Sequence, residues 1–219
     1  LGAGTIEIWG AQLEQRDSVT AYTPTTDQPI TNYIPVLQTA AAGEARFDHD
    51  PVTGESKGLL IEEQRTNLLL RSEEFDNAYW TKTRSSIDAN VIVAPDGTLT
   101  GDKLVENTEN EEHVVASSVI STGANPNLSI YIKAGGRYKV ALREGVFTGQ
   151  HAAFDVLNGI VLSSPFTDDV SITLVGNGWY RISLAVYVGA GNRNLQVWLL
   201  PDSYTSGPPT TTAGKYTGD

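Results

Sequence analysis

The stretch Trp179-Tyr-Arg-Ile-Ser-Leu-Ala-Val-Tyr-Val188, with Asn194-Leu-Gln-Val-Trp-Leu199 close behind it, decides the fold class. Aliphatic residues fall at every second position: Ile182, Leu184 and Val186, then Leu195, Val197 and Leu199. A period of two puts them all on one face of an extended strand, which is the pattern of a half-buried β-strand and not of a helix. The pair is introduced by Gly176-Asn-Gly178 and separated by Gly189-Ala-Gly-Asn192, both turn-forming clusters. Working outward, the same alternation recurs in Asn127–Lys133, Tyr138–Arg143, Val170–Val175 and, at the other end of the chain, Thr5–Leu13. Ala134-Gly-Gly136 breaks one interval, and Asn158-Gly159 between apolar runs signals a tight hairpin. Several short alternating strands spaced by turns are the signature of an antiparallel β-sandwich or barrel, and the sandwich is the expectation carried forward.

Composition agrees and excludes alternatives. The chain has 219 residues, 40% of them hydrophobic, enough for one sizeable core. It carries 26 Asp and Glu against 15 Lys and Arg, a net charge of −11, which argues against a nucleic-acid partner. It has no Cys, which removes disulfides, thiolate nucleophiles and Cys-ligated zinc, and only three His. No apolar run reaches the length of a membrane-spanning helix, and no signal-peptide pattern opens the chain. The absence of Met leads us to expect a piece of a longer protein.

Three segments are expected. Residues 1–14 hold an isolated strand, closing this sandwich or a neighbouring copy. Residues 15–57, with Pro24, Pro29, Pro35 and the turn-rich Phe47–Gly54, form an extended linker or strap. Residues 58–219 form the β-sandwich. A short helical turn capped by Ser72 is predicted at Glu73–Ala78. The acidic run Glu106–Glu112 reads as a solvated loop, and Asp48, Asp50 and Glu55 as a solvated turn and not a calcium loop.

No catalytic constellation stands out. The neighbouring carboxylates Glu62-Glu63, Glu73-Glu74 and Glu111-Glu112 point to opposite faces if extended. His49, His113 and His151 lie apart, without a nucleophile elbow or a zinc-binding helix motif. The strands' second parity is more informative. It carries Trp9, Tyr131, Lys133, Lys139, Arg143, Arg181, Tyr187, Gln196 and Trp198, expected to share one outer face. Aromatic rings stack on the apolar face of a sugar, and Arg, Lys and Gln bond its hydroxyls or carboxylates. These residues are the candidate carbohydrate-binding set, suited to a polysaccharide and in particular an acidic one. The competing reading is that the rings pack under a strap such as 15–57 or against a partner subunit. Tyr79, Trp80 and Trp179 are read as core packing and turn anchors in preference to an edge platform.

A set of motifs carries a resemblance. Arg46-Phe-Asp-His-Asp-Pro-Val-Thr-Gly54, Gly58–Leu70, Phe75-Asp-Asn-Ala-Tyr-Trp80, Ala94-Pro-Asp-Gly97 with Asp102-Lys-Leu104, Leu128–Ala134, Val175–Ser183 and Ile8-Trp-Gly-Ala-Gln-Leu-Glu14 occur together. The set resembles the head-spike or tail-fibre domain of tailed phages and prophages, itself similar to jelly-roll carbohydrate-binding modules. In that family the Ile-Trp-Gly-Ala-Gln-Leu-Glu strand follows the Tyr-Thr-Gly-Asp turn. Here it comes first and the turn is Tyr216–Asp219, so a window on a repetitive fibre, one strand out of phase, is expected as the simplest account; a circular permutation reads the same way. Such modules often hold a structural calcium. Glu74 matches one ligand, but Trp9-Gly10 stand where an Asp pair would fall, so no metal or cofactor is carried over. The resemblance implies a virion or extracellular location, a homotrimer with other virion proteins as partners, and adhesion to host-surface polysaccharide without catalysis. The alternatives are a purely structural fibre module, or the non-catalytic carbohydrate-binding module of a polysaccharide-degrading enzyme.

Overall fold

A computed structural model of the chain describes residues 41, 43–50, 53–61, 66–122, 126–145, 150–165, 169–187, 191–207 and 215–218. The strand expected at 5–13, Trp9, and most of the strap expected over 15–57 lie outside the described residues. The chain divides into two units, 1–34 and 35–219; the first lies wholly outside the described residues.

The protein is all-β. Two antiparallel sheets dominate. The larger has six strands in the order β12 (Ile160–Ser163), β11 (His151–Asp155), β10 (Lys139–Glu144), β16 (Leu195–Leu199), β7 (His113–Ser117), β3 (Trp80–Thr83). The smaller has three, β13 (Val170–Gly176), β14 (Trp179–Ala185) and β9 (Asn127–Lys133). Four hairpins or short pairs flank them: β1 (Phe47–His49) with β2 (Ser56–Leu59), β4 (Ser85–Ile92) with β5 (Gly101–Glu106), β8 (Ile120–Thr122) with β15 (Gly191–Arg193), and β6 (Asn110–Glu111) with β17 (Tyr216–Thr217). The strap expected over 15–57 thus ends in a hairpin that reaches across position 57, closed where Asp50 Oδ1 accepts the Thr53 amide.

The alternation seen in the sequence explains the layering. Val140, Leu142, Phe154, Leu195, Val197 and Leu199 of the large sheet bury against Leu128, Ile182 and Leu184 of the small one. Each such side chain contributes about 1.5–3 kcal/mol when taken out of water, so this shared core is what holds the two sheets face to face. Registry between strands is pinned by turns. Asn177 and Gly178 both have left-handed backbones (φ 52° and 75°), the conformation a two-residue hairpin turn of the right twist needs. Between β11 and β12, Asp155 accepts the amides of Leu157 and Asn158 and the Asn158 side chain, fixing the turn over 156–159.

Two expectations fail here. No helical turn forms at Glu73–Ala78. Amides 74, 77 and 80 instead bond the carbonyls of 71, 74 and 77, a series of separate turns. The bond from Trp80 Nε1 to the Arg71 carbonyl (2.7 Å) and the Phe75 ring packed 4.6 Å away tie those turns to the core. The acidic run is not simply solvated. Arg84 pairs with Glu109 and Glu112, Arg137 with Glu106, and Lys215 with Glu111. The Lys215–Glu111 pair fastens β17 to β6, and nearby the Tyr216 hydroxyl bonds Glu106 and the Arg137 guanidinium lies 4.9 Å over the Tyr216 ring. Burial, together with the Glu106 bond, pushes the Tyr216 phenol far above its ordinary range.

Candidate functional site

The nine candidate binding residues do not share one face. Trp9 lies outside the described residues. Lys139, Arg143, Gln196 and Trp198 sit on the outer face of the six-stranded sheet, and Tyr131, Lys133 and Arg181 on the outer face of the three-stranded one. The two sheets bury their inner faces against each other, so these outer faces point away from one another.

The outer face of the large sheet is occupied. Trp198 is only 6% exposed. It belongs to a second apolar cluster with Val114, Ala141, Ala153, Leu200 and Tyr204. Its indole N–H donates to Gln196 Oε1 (3.0 Å), and the Arg143 guanidinium lies 5.1 Å over its ring. Lys139 Nζ donates to the carbonyls of Asp202 and Tyr204, at 2.7 and 2.6 Å, and so holds down the 201–207 segment that brings Tyr204 onto the sheet. The competing reading of these residues, packing beneath a cover, therefore describes them, and among the described residues 201–207 supplies cover. Asp155, opposite Lys139 in β11, is buried as well. Burial alone would raise its carboxyl, but the hydrogen bonds from Asn158 and Leu157, with the Lys139 charge, hold it below the usual carboxylate range.

The outer face of the small sheet is open over Tyr131 and Arg181 and closed at its turn end, where Trp179, the cross-strand partner of Lys133, is buried beneath Val93. Tyr131 is 36% exposed, and Lys133 and Arg181 are exposed. Arg181 stands directly opposite Tyr131 in the β14–β9 register and donates one long bond (3.4 Å) to Ser129 Oγ. The Lys133 stem runs over the hairpin turn, where Gly178 leaves room for it: a Cβ there would meet Lys133 Cε at 3.5 Å. Cross-strand rows complete the surface: Ser171, Ser183 and Ser129 in one, Thr173, Arg181 and Tyr131 in the next. Ser171 and Ser183 share a 2.7 Å hydrogen bond.

Tyr187 lies just past β14 at the end of this sheet, half exposed but held fast. Its amide donates to Gln150 Oε1, its carbonyl accepts from Gln150 Nε2, and its hydroxyl donates to Asp169. The Asp169 bond, first among the causes, raises the Tyr187 phenol above its ordinary value. An exposed ring fixed at both ends is a preorganised contact surface, because little entropy is left to lose on binding.

The remaining aromatics behave as anchors. Trp80 is buried against Phe75 and Tyr79, and Trp179 donates its indole N–H to the Val93 carbonyl (3.0 Å). Among the described residues no group of three His, Asp or Glu is placed to hold a metal. The serines and threonine of the small sheet, and the Gln150 and Asp169 clamp, were not among the sequence candidates. The hydroxyls were legible, since they share the parity of Tyr131 and Arg181; the clamp joins residues 18 and 37 positions from Tyr187 and was not. No family model matches the chain, and comparison with the curated proteins finds no match.

Proposed function

We propose that the chain is a non-enzymatic module of a virion fibre or spike that binds host-surface polysaccharide on the outer face of the three-stranded sheet. One observation carries the choice of face: Tyr131, Arg181 and Lys133 are exposed together on a hydroxyl-lined sheet, whereas Trp198 and its neighbours are covered. Flat rings stack on sugars, serine and threonine hydroxyls exchange hydrogen bonds with theirs, and the rigid strands keep the spacing fixed. The motif resemblance supports the fibre setting. In a fibre, many copies would convert weak single-site stacking into avidity through effective concentration.

A glycan array probed with the full chain tests this. Binding that falls at least tenfold in Tyr131→Ala, with the fold intact by circular dichroism, is the expected result. A blank array with an assembled multimer would leave a purely structural fibre module.

A further inference from the structure

The three strands of the small sheet, Val170–Gly176, Trp179–Ala185 and Asn127–Lys133, contain no Asp or Glu, in a chain that has 26. The cations on that sheet lack carboxylate partners among the described residues, as Lys103 and Arg143 also do. Elsewhere Arg84, Arg137 and Lys215 are held by carboxylates, and Lys82 and Lys139 by backbone carbonyls. Lys133 and Arg181 have no carboxylate partner among the described residues, and Arg181 spends one donor on Ser129 Oγ. Two cations without a carboxylate partner among the described residues therefore lie together on strands that carry no acid, in a protein of net charge −11; the carboxylate at the end of the sheet, Asp169, is bonded to Tyr187. Charges more than a Debye length away, about 8 Å at physiological ionic strength, are largely screened, so the total of −11 does not by itself set the field at Arg181 and Lys133.

We infer that the ligand is an anionic polysaccharide, one whose sugars carry carboxylate or sulfate groups, and that Arg181 with Lys133 recognises the anion. The inference rests on the polysaccharide reading above. Arg181 and Tyr131 are direct cross-strand partners, with Cβ atoms about 5 Å apart, and Lys133 is the diagonal neighbour of Arg181 at about 7–8 Å. A sugar stacked on Tyr131 thus has its substituents within reach of both cations. The guanidinium fork matches the geometry of a carboxylate or sulfate, and the lysine adds a second, mobile charge. The neighbouring hydroxyls of Ser129, Ser183 and Thr173 serve the uncharged parts of the chain.

The test uses the full chain with three probes: oligogalacturonate for carboxylate, a heparin oligosaccharide for sulfate, and dextran as the neutral control. Affinity is measured by titration calorimetry at low and high NaCl. One of the two acidic probes should bind at least tenfold tighter than dextran. That affinity should drop about tenfold or more in Arg181→Gln, the loss expected of a charge-assisted hydrogen bond, and weaken as salt rises. Arg181 is exposed, so the variant should melt as the wild type does. Dextran binding as tight as the acidic probes, unchanged in Arg181→Gln, would overturn the anionic inference and leave the polysaccharide reading standing. No binding to these probes or to a broad array would remove both. Equal binding to a single-stranded DNA oligonucleotide would show a general polyanion surface and likewise overturn it.

Discussion

Replacing Trp198 by alanine separates the two outer faces. If the ring were a sugar platform, its removal would abolish binding and leave the fold almost untouched. The structure assigns it the opposite role. A buried tryptophan removes about 150–250 Å² from water, worth about 4–6 kcal/mol at 25 cal/mol per Å² as an upper bound. Measured truncations of large buried aromatics cost about 3–5 kcal/mol, because the cavity collapses only in part. Here the neighbours that would have to close in, Ala141 and Ala153, are short side chains on sheet backbone that cannot move far. The indole bond to Gln196 and the Arg143 stack would also be lost.

A loss of about 3–5 kcal/mol is a large part of the 5–15 kcal/mol that holds a typical domain together. With a urea slope of about 2 kcal/mol per molar, the unfolding midpoint should fall by about 2 M. The assay is urea unfolding followed by far-ultraviolet circular dichroism, run beside Tyr131→Ala. Tyr131→Ala should cost about 1 kcal/mol or less, as expected of a partly exposed position. A Trp198→Ala protein within 1 kcal/mol of wild type that no longer binds glycan would refute the assignment and move the site to the six-stranded sheet.

Other outcomes follow from the same contacts. Asp155 has a depressed carboxyl, so its contribution is present above the unfolded value of about 3.9 and is lost as pH falls through the lower folded value. The wild type should therefore exceed Asp155→Asn in urea midpoint at neutral pH, and the gap should close below about pH 3.9. Arg137→Met leaves Glu106 without its guanidinium where that side chain is only 9% exposed; a cost of about 3–5 kcal/mol is expected in thermal melts, with partial recovery when Glu106→Gln is added. Gly178→Ala has room for its methyl group but needs a left-handed backbone, so it should lose about 1–2 kcal/mol by the same measurement, whereas Asn177→Gly should be close to neutral.

Several strands that bury one face were legible residue by residue, although the alternating Ser85–Ile92 and its partner Gly101–Glu106 were not among them. Asn127–Lys133 is β9 to the residue, and Val170–Val175, Trp179–Val188 and Asn194–Leu199 differ from β13, β14 and β16 by three residues or fewer at each end. Strands buried on both faces were not legible from alternation. His113-Val-Val-Ala-Ser117 and His151-Ala-Ala-Phe-Asp155 lie inside the large sheet with almost every side chain covered, which leaves no polar parity to read. The failed helical turn at 73–78 has a similar origin: Ser72 and the acidic residues after it favour a helix start, but the Trp80 bond to Arg71 and its contact with Phe75 settle that backbone. The acid run was misread because its cationic partners come from residues 84, 137 and 215, at separations no local pattern reveals.

Parity can assign a residue to an outer face, but it does not say which sheet that face belongs to, and this is why Trp198 and Tyr131 looked alike. What separates them is the company each keeps. Around Trp198 the same parity holds, beside Arg143 and Gln196, the apolar Ala141, Ala153, Val114 and Ala116, which would expose a hydrophobic patch unless something lay over it. Around Tyr131 it holds Ser129, Ser171, Ser183, Thr173 and Arg181, which are well solvated without a cover. Contiguous apolar patches on sheet surfaces tend to be closed over, whereas hydroxyl-lined ones can remain open. An aromatic ring among hydroxyls and unpaired cations is thus a stronger mark of a binding surface than a larger ring among alanines. On that criterion Tyr131 and Arg181 outrank Trp198, although tryptophan is the better stacking residue in isolation.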